Sequence, residues 1–397
     1  MGELISQGGF GCIFYPGFNC KGEIKKTSKN TSKMVSKLQI NNFHGNNEIL
    51  IGSRIKRFSK YHLYFLPIVN SCSIGLAALD KTDISQCRIL SNNDSNYLLS
   101  EIPYLNNISF EKVFTNFLRI KKHVLLIFFD TFQYIAESIY KLIDLNIIHF
   151  DIKEHNILYS IKYENPIIID FGISIPFDKL NNDNIKNYLY VFAPDYYIWP
   201  LEVHVICYLL HVKNTLEIAD IEKIVSDYIS TNIALNIFTQ EFKKKYATTC
   251  IAFFKNYIND KNYINDKNYI NDKNNKNNKN SIVNDLLQFY KTWDLYALSI
   301  LYLKFFSYIF HNGFYDSKII IKFSQLLLIN ISPDPRKRLS IKDTNRLYKE
   351  VFYIDESPKN YLTIINNFKY YDMPITKIIT ESNSLATKKS LMLASIR

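Results

Sequence analysis

The chain has 397 residues, and 47% of them are hydrophobic, which is enough apolar material for a substantial core and excludes wholesale disorder. Lys and Arg number 48 against 37 Asp and Glu, so the formal net charge is +11. Such a charge suits polyanionic ligands in general. Because neither zinc-finger spacing nor a basic stripe interleaved with aromatic residues accompanies it, we expect no nucleic-acid partner.

Six cysteines are scattered along the chain without a C-x-x-C pair, and no secretory leader precedes them. This pattern predicts free thiols and an intracellular, cytoplasmic protein. The longest apolar stretch, Ala297 to Phe310, is interrupted by Lys304 and is shorter than a membrane-spanning helix. We therefore expect no membrane span.

The first predicted element is a hairpin over residues 4–15, in which apolar ends flank a cluster of glycines. Gly8, Gly9 and Gly11 lack a Cβ, so backbone N–H groups at this tip can approach phosphate oxygens closely. An ordinary tight turn would have the same local composition. The position at the start of the chain, followed by a suitably spaced lysine, favours the phosphate-binding interpretation.

That lysine is Lys37, which lies between apolar neighbours in a predicted strand at residues 34–38. A charge buried in this way needs a partner, because an unpaired buried ion costs several kcal/mol. The alternative is a lysine on the solvent-exposed side of the strand.

A helix is predicted over residues 110–145. Phe132, Ile135, Ile139 and Leu142 recur at the spacing of one helical face. Such a stripe indicates core packing, and its expected role is to hold the polar loop that follows.

Two short polar loops, at residues 149–156 and 170–172, flank a hydrophobic strand pattern. Carboxylate and amide oxygens are the ligands that Mg²⁺ prefers, and Asp151 could accept a proton from an attacking hydroxyl. A lysine in the same loop could neutralise charge on a transferred group. A turn capped by histidine and aspartate is the simpler alternative. The side chains with this chemistry are Asp151, Lys153, Asn156 and Asp170.

Beyond these loops, apolar periodicity predicts extra helices over about residues 201–254. An asparagine-rich, six-residue repeat then predicts a solvated low-complexity loop over about residues 256–280. Two acidic turns, ending at Asp195 and Glu202, compete as partners for Arg338 in a late basic turn.

Taken in order, these motifs resemble those of the protein kinases. The catalytic loop H-R-D-x-K-x-x-N of that family is matched at His149, Asp151, Lys153 and Asn156, and its D-F-G metal loop at residues 170–172. The glycine loop, the strand lysine, Asp294 in a later helix and the D-P-x-x-R segment follow the family order. The resemblance covers about residues 5–340.

The chain departs from the family at three motif positions. Phe150 stands where the family usually has Arg, Ser6 replaces the first glycine of G-x-G-x-x-G-x-V, and Asp195 replaces the Glu of A-P-E. Phe150 has no donors with which to bind a phosphate on the following segment, residues 173–195, and that segment contains no Thr. We therefore expect activity that does not depend on phosphorylation of residues 173–195.

The resemblance implies an α+β, two-lobed fold. Residues 1–103 would form a small β-rich lobe, residues 104–350 a larger helical lobe with the insertion, and residues 351–397 a tail. It also implies an ATP- and Mg²⁺-dependent enzyme that phosphorylates serine or threonine hydroxyls of a protein substrate.

The same resemblance assigns the site residues. Asp151 and Lys153 would be catalytic, and Asn156 and Asp170 would hold the metal. Lys37 would grip phosphates with the support of Glu48, and Glu101 would lie where a strand passes into the segment that meets the adenine. The residues implied to bind ATP are Ile5, Ser6, Gly8, Gly9, Phe10, Gly11, Ile13, Lys37, Glu48 and Glu101.

Two other interpretations remain open on the sequence. A small-molecule kinase of the choline or aminoglycoside type also uses a catalytic Asp and Asn and a later metal Asp. Three features argue against it: Lys153, the Phe171-Gly172 pair and the Asp334–Arg338 segment. A pseudokinase that serves as a binding scaffold is the other interpretation. It is favoured by Ser6, Phe150, Asp195 and the large insertion, and is opposed by the presence of every metal- and phosphate-binding residue.

Overall fold

The computed structural model describes residues 3–9, 11–21, 33–79, 84–90, 96–110, 112–113, 121–259, 276–311 and 318–353. The chain combines an antiparallel sheet near its N-terminus with many helices, which confirms the α+β class. The described residues up to Asp178 form one compact unit, and those from Lys179 form a second. Of the predicted tail, only residues 351–353 are described, and they are helical.

The first unit is organised around an antiparallel sheet of five strands in the order β1-β2-β3-β5-β4, counted among the described residues. In β2, buried Cys12 and Phe14 alternate with half-buried Ile13 and Tyr15, as expected of a strand with one covered face. The inner strands β3 and β5 are buried over most of their lengths, which fits their apolar sequences. The strands are β1 (Glu3–Gln7), β2 (Cys12–Tyr15), β3 (Met34–Ile40), β4 (Asn70–Ile74) and β5 (Tyr97–Pro103).

Two disulfides connect segments of this sheet region. Cys12 is bonded to Cys87, and Cys20 is bonded to Cys72. The prediction of free thiols is therefore wrong for these four residues. The cysteine pattern consequently no longer supports the prediction of an intracellular, cytoplasmic protein. The pairing has no local sequence signal, because the bonded residues are 75 and 52 positions apart and are brought together only by the fold. The other two cysteines, Cys207 and Cys250, are free thiols and are buried.

Helix α1 (Phe43–Ile55) follows β3 directly. It begins at Asn42, whose side chain accepts a hydrogen bond from the Gly45 N–H at 3.0 Å, a typical N-cap. Near its end the helix approaches the backbone closely, since a Cβ at Gly52 would lie 2.7 Å from the carbonyl oxygen of Ile68. Glycine at this position therefore fixes how near the helix lies to the chain that leads into β4.

Helix α2 carries the predicted apolar stripe. Phe132, Ile135, Ile139 and Leu142 are all fully buried, which confirms that they pack in the core. The short elements that follow hold the polar loops, and β8 pairs with both β6 and β9. These elements are β6 (Asn107–Ser109), α2 (Lys121–Asp144), β7 (Ile147–Ile148), β8 (Ile157–Ser160), β9 (Asn165–Ile168) and β10 (Ile175–Pro176).

The boundary between the two units differs from the predicted lobe boundary after residue 103. Backbone hydrogen bonds join β9 to the chain before β4, from the Leu66 N–H to the Ile168 carbonyl and from the Ile168 N–H to the Tyr64 carbonyl. The Tyr134 hydroxyl on α2 also donates to the Leu63 carbonyl at 2.8 Å. These contacts connect residues 107–178 with the sheet. Residues 107–178 therefore belong to the first unit.

The second unit is helical, and helices occupy most of residues 201–254, where the apolar periodicity predicts them. Their place as an addition to a kinase lobe stays a prediction. The interior of the second unit contains three fully or nearly buried tyrosines, and the Tyr296 hydroxyl is hydrogen-bonded to the hydroxyls of both Tyr228 and Tyr246. The described helices of this unit are α3 (Ile185–Tyr188), α4 (Leu201–His211), α5 (Ile218–Thr231), α6 (Gln240–Asn259), α7 (Lys276–Leu287), α8 (Trp293–His311), α9 (Lys318–Asn330) and α10 (Ile341–Tyr353).

The predicted loop over residues 256–280 is wrong at both ends. Helix α6 continues to Asn259, where Phe253 and Tyr257 make a ring contact one turn apart. Helix α7 already includes residues 276–280, and Lys279 donates a hydrogen bond to the Asn214 side chain at 3.0 Å. The polar composition of the repeat did not indicate these helical ends. They form because apolar residues on either side of the repeat anchor helices that extend into it. Residues 260–275 lie outside the described part of the chain.

A buried ion pair settles which acidic turn meets the late basic turn. The Arg338 guanidinium donates to both carboxylate oxygens of Glu202, at 2.5 and 3.0 Å, and both side chains are about 1% exposed. Burial opposes the charge on Arg338, but the attraction of Glu202 outweighs it and raises the arginine pKa. Glu202, in the first turn of α4, is therefore the partner.

We expect Glu202→Gln to lower the free energy of unfolding by about 3–5 kcal/mol, because it leaves a buried guanidinium without its counter-charge. The matched control is Asp195→Asn, the same carboxylate-to-amide change in the competing turn, which should cost under about 1 kcal/mol. Urea unfolding monitored by tryptophan fluorescence measures both values. Equal losses in the two variants would contradict the assignment.

Candidate functional site

The glycine-rich tip connects β1 to β2 and is closed by a hydrogen bond from the Gly8 N–H to the Gly11 carbonyl at 2.9 Å. The two glycines differ in their surroundings. A Cβ at Gly11 would lie 2.7 Å from the Leu38 carbonyl oxygen, whereas a Cβ at Gly8 would have nothing within 4 Å. Gly11 therefore lets β2 lie against β3, and Gly8 leaves the tip open to a ligand.

Other predicted residues of the tip are spread over both strands. Ile5 and Ser6 are exposed on β1, where a β-bulge between Leu4 and Ser6 shifts the register. Ile13 is paired with Lys37 across β2 and β3. Gly9 is half-buried in the turn, and Phe10 lies outside the described residues.

Gly11→Ala is expected to destabilise the chain by about 1–3 kcal/mol, because the new methyl group forces β2 away from β3. Gly8→Ala is the control, and its melting temperature should stay close to that of the wild type, since open space surrounds the site. Thermal unfolding followed by circular dichroism distinguishes them. A larger loss for Gly8→Ala than for Gly11→Ala would show that the steric argument fails.

Lys37 lies at the centre of a buried charge cluster. Its Nζ contacts the two carboxylate oxygens of Glu48 at 2.7 and 2.9 Å and Oδ1 of Asp170 at 3.1 Å. The side chains of Lys37 and Glu48 are 7% and 4% exposed. Burial alone would lower the lysine pKa, but the attraction and hydrogen bonds of Asp170 and Glu48 outweigh it and raise that pKa. The predicted Lys37–Glu48 pair is present.

His149 joins the two polar loops. The Asp151 N–H can only donate, so its 3.2 Å contact with Nδ1 makes that nitrogen an acceptor. The proton is then on Nε2, which donates to the Ile169 carbonyl at 3.0 Å. Phe150, which lies between His149 and Asp151 in the chain, is buried and has a φ of 67°, an unusual value for a bulky residue. This left-handed backbone turns the chain so that Asp151 enters the site.

Asp151 is fully buried and held at both carboxylate oxygens. Lys153 Nζ lies 3.0 Å from Oδ1, and Asn156 Nδ2 donates to Oδ2 at 2.8 Å and to the Asp151 carbonyl at 2.9 Å. These contacts give the carboxylate one orientation. A fixed, ionised carboxylate next to an ammonium group is suited to accept a proton from a hydroxyl.

Asp170 also has a left-handed backbone, with a φ of 62°, at the point where the chain leaves β9. The next residue, Phe171, is buried and makes edge contacts with the rings of His149 and Phe65, at centroid distances of 5.0 and 6.2 Å. The Ile169 N–H donates to the Asn156 carbonyl at 2.9 Å. These contacts place the Asp170 carboxylate beside Lys37 and attach residues 170–172 to the polar loop at residues 149–156.

Asn156 and Asp170 suit a hard cation of the Mg²⁺ type. Asn156 uses Nδ2 on Asp151, so it would bind a cation through its amide oxygen Oδ1, and Asp170 supplies carboxylate oxygens. Among the described residues, no group of three or more His, Cys, Asp or Glu side chains could hold a metal by itself. Mg²⁺ keeps several positions for water and phosphate, so two protein ligands fit its requirements better than those of zinc.

Glu101 lies within β5 and is buried, and the sheet uses its backbone, since its carbonyl accepts a hydrogen bond from the Val69 N–H at 2.9 Å. The strand continues to Pro103, two residues beyond Glu101. The contribution of Glu101 to nucleotide binding stays a prediction.

Sequence reasoning missed two residues of α1 that contact the segment after residues 170–172. Asn47 Nδ2 donates to the Ser174 carbonyl at 2.7 Å, and Arg54 forms a two-point ion pair with Asp178 at 2.5 and 3.1 Å. The available signal was their spacing of seven residues, two helical turns, which places them on the same face of α1.

The structure thus brings most of the predicted polar residues together within one unit. Lys37, Glu48 and Asp170 form one cluster, Asp151, Lys153 and Asn156 form another, and His149 with the Ile169 backbone connects the two. No family model matches the chain, and the search of curated proteins found no match either.

Proposed function

We propose that the chain is an ATP-dependent protein kinase that transfers the γ-phosphoryl group of ATP to serine or threonine hydroxyls of a protein substrate. The observation that carries this proposal is the contact of Lys37 Nζ with both Glu48 and Asp170, the latter 133 positions away in the chain. A buried lysine between two carboxylates, beside an open glycine turn, is suited to binding the phosphates of a nucleotide. The two-lobed kinase arrangement, with lobes at residues 1–103 and 104–350, is part of the same proposal.

On the acceptor side, Asp151 orients the attacking hydroxyl and takes its proton. Lys153 and Asn156 hold the carboxylate in place, so no side chain has to reorganise during the reaction. Lys153 is also near enough to neutralise charge that develops on the transferred group. Its position two residues after Asp151 resembles the serine/threonine branch of the family, which supports the choice of acceptor.

On the donor side, Lys37 binds the α- and β-phosphates, and Glu48 keeps its ammonium group in position. Asn156 and Asp170 would hold Mg²⁺, which, when bound, supplies charge neutralisation for the phosphate oxygens. The glycine tip covers the phosphates with backbone N–H groups. Such a site works mainly by positioning and electrostatics, which together can lower a barrier by about 7–11 kcal/mol.

The test is phosphoryl transfer by the purified protein from γ-labelled ATP, with Mg²⁺ or with excess chelator. Basic and acidic model proteins serve as one set of acceptors, and choline and aminoglycosides serve as another. We expect Mg²⁺-dependent labelling of serine and threonine in the proteins. Labelling of the small alcohols alone would replace the proposal with a small-molecule kinase, and nucleotide binding without any transfer would replace it with a binding scaffold.

A further inference from the structure

Helix α1 is attached to the chain beyond residues 170–172 at two points, which are two helical turns apart. At the first, Asn47 donates to the Ser174 carbonyl at 2.7 Å. At the second, Arg54 donates to both oxygens of Asp178, at 2.5 and 3.1 Å. Glu48 lies between these points on the same helix, so the attachments determine where its carboxylate meets Lys37.

The segment that receives these contacts is itself fixed to the catalytic loop. Strand β10 pairs with β7, with Ile175 opposite Ile148 and Pro176 opposite Ile147. The Ser174 hydroxyl donates to the His149 carbonyl at 3.1 Å. A displacement of residues 174–178 would therefore move α1 relative to the loop at residues 149–156. Equally, a displacement of α1 would move residues 174–178.

The hydroxyl groups of the segment are poorly placed for modification. Residues 173–195 are all described, and their only hydroxyl side chains are Ser174, Tyr188 and Tyr190. All three residues are buried, with Ser174 fully so. Phe150, where the kinase resemblance would place an arginine that binds phosphate, is apolar. The contact that a phosphate would make with an arginine is made here between Arg54 and the carboxylate of Asp178.

We propose that Arg54 and Asp178 act as an ion-pair clamp that holds α1, and with it Glu48, in the position that engages Lys37, without phosphorylation of residues 173–195. A two-point guanidinium–carboxylate contact is strong and directional, which suits a positioning role. Asp178 and Arg54 are thus positioning residues that act through Glu48. The effect on catalysis rests on the proposed kinase function, whereas the effect on α1 does not.

The conformational arm of the test is hydrogen exchange of residues 43–55 in the nucleotide-free protein. Asp178→Asn should exchange at least fivefold faster than the wild type in this helix, and Asp178→Glu, which keeps the charge, should restore most of the protection. The matched control is Glu137→Gln, which removes an ion pair with Lys141 at the surface. The carboxylate side chains that are changed have similar exposure, 39% for Glu137 and 45% for Asp178. Unchanged exchange in Asp178→Asn would overturn the clamp, whether or not the protein transfers phosphate.

The catalytic arm measures kcat and the KM for ATP separately. Asp178→Asn should lower kcat about tenfold with little change in KM, because the lysine–glutamate pair acts on charge that develops in the transition state. A merely structural role would lower the melting temperature and spare kcat. Phosphatase treatment should leave the wild-type rate unchanged, and a collapse would also overturn the clamp. An inactive wild type with normal clamp exchange would count against the kinase function alone.

Discussion

Replacement of Asp151 by Asn is expected to lower kcat for phosphoryl transfer by about 10²–10⁴-fold, the range that a positioned general base contributes. An amide cannot take the proton of the attacking hydroxyl. It also places an NH₂ group against one of two donors, since Lys153 Nζ and Asn156 Nδ2 approach the two carboxylate oxygens of Asp151. Steady-state kinetics with γ-labelled ATP measures the effect.

The control for Asp151 is Asp144→Asn, the same change at an exposed residue at the end of α2, which should leave kcat as it is. ATP binding, measured by calorimetry without the protein acceptor, should persist in Asp151→Asn, because the phosphates are bound by other residues. A variant that retains a rate within a few-fold of the wild type would rule out Asp151 as the base. Loss of ATP binding together with activity would instead point to misfolding.

Lys37→Met should have the second large effect, with both activity and stability reduced. We expect kcat to fall by about 10²–10³-fold, the cost of removing one preorganised donor from a charge that develops in the reaction. The free energy of unfolding should fall by about 3–5 kcal/mol, because Glu48 is left buried without its partner. Lys141→Met removes a more exposed pair and should cost under about 1 kcal/mol.

The pH dependence of this stability difference follows from the direction of the Lys37 pKa shift. That pKa is raised above its ordinary value of 10.5 in the folded chain. The stabilisation by the charged lysine is therefore complete below pH 10.5 and is lost as the pH rises through the folded-state pKa. The difference in unfolding free energy between the wild type and Lys37→Met should therefore narrow as the pH rises above 10.5. A gap that widens with alkaline pH would contradict this assignment.

The polar site was predictable because its residues follow one another closely in the chain. Asp151, Lys153 and Asn156 occupy one loop, and the β8–β9 hairpin returns the chain directly to Asp170. A short hairpin leaves few ways to arrange the two loops, so motif spacing carries most of the geometry. The stripe on α2 was predictable for a similar reason, since helical periodicity is a local property.

Distant pairs that belong to no recognised motif could not be predicted from the sequence. Arg54 and Asp178 are 124 positions apart and each resembles an ordinary surface charge. The competition between Asp195 and Glu202 for Arg338 was undecidable for the same reason, because only the packed helices show which carboxylate reaches the buried guanidinium. The ends of the asparagine-rich segment were misjudged because composition describes an average, whereas a helix end depends on its nearest apolar neighbours.

The two disulfides are nested, with the Cys20–Cys72 bond inside the loop closed by Cys12 and Cys87. The chain that carries Lys37 and Glu48 is consequently a covalent ring, and it remains one when every native contact is lost. Closing a ring of this size restricts the unfolded chain by about 4 kcal/mol in the chain-entropy model. Melts recorded with and without a thiol reductant therefore compare the native protein with two different denatured ensembles, one cyclic and one linear.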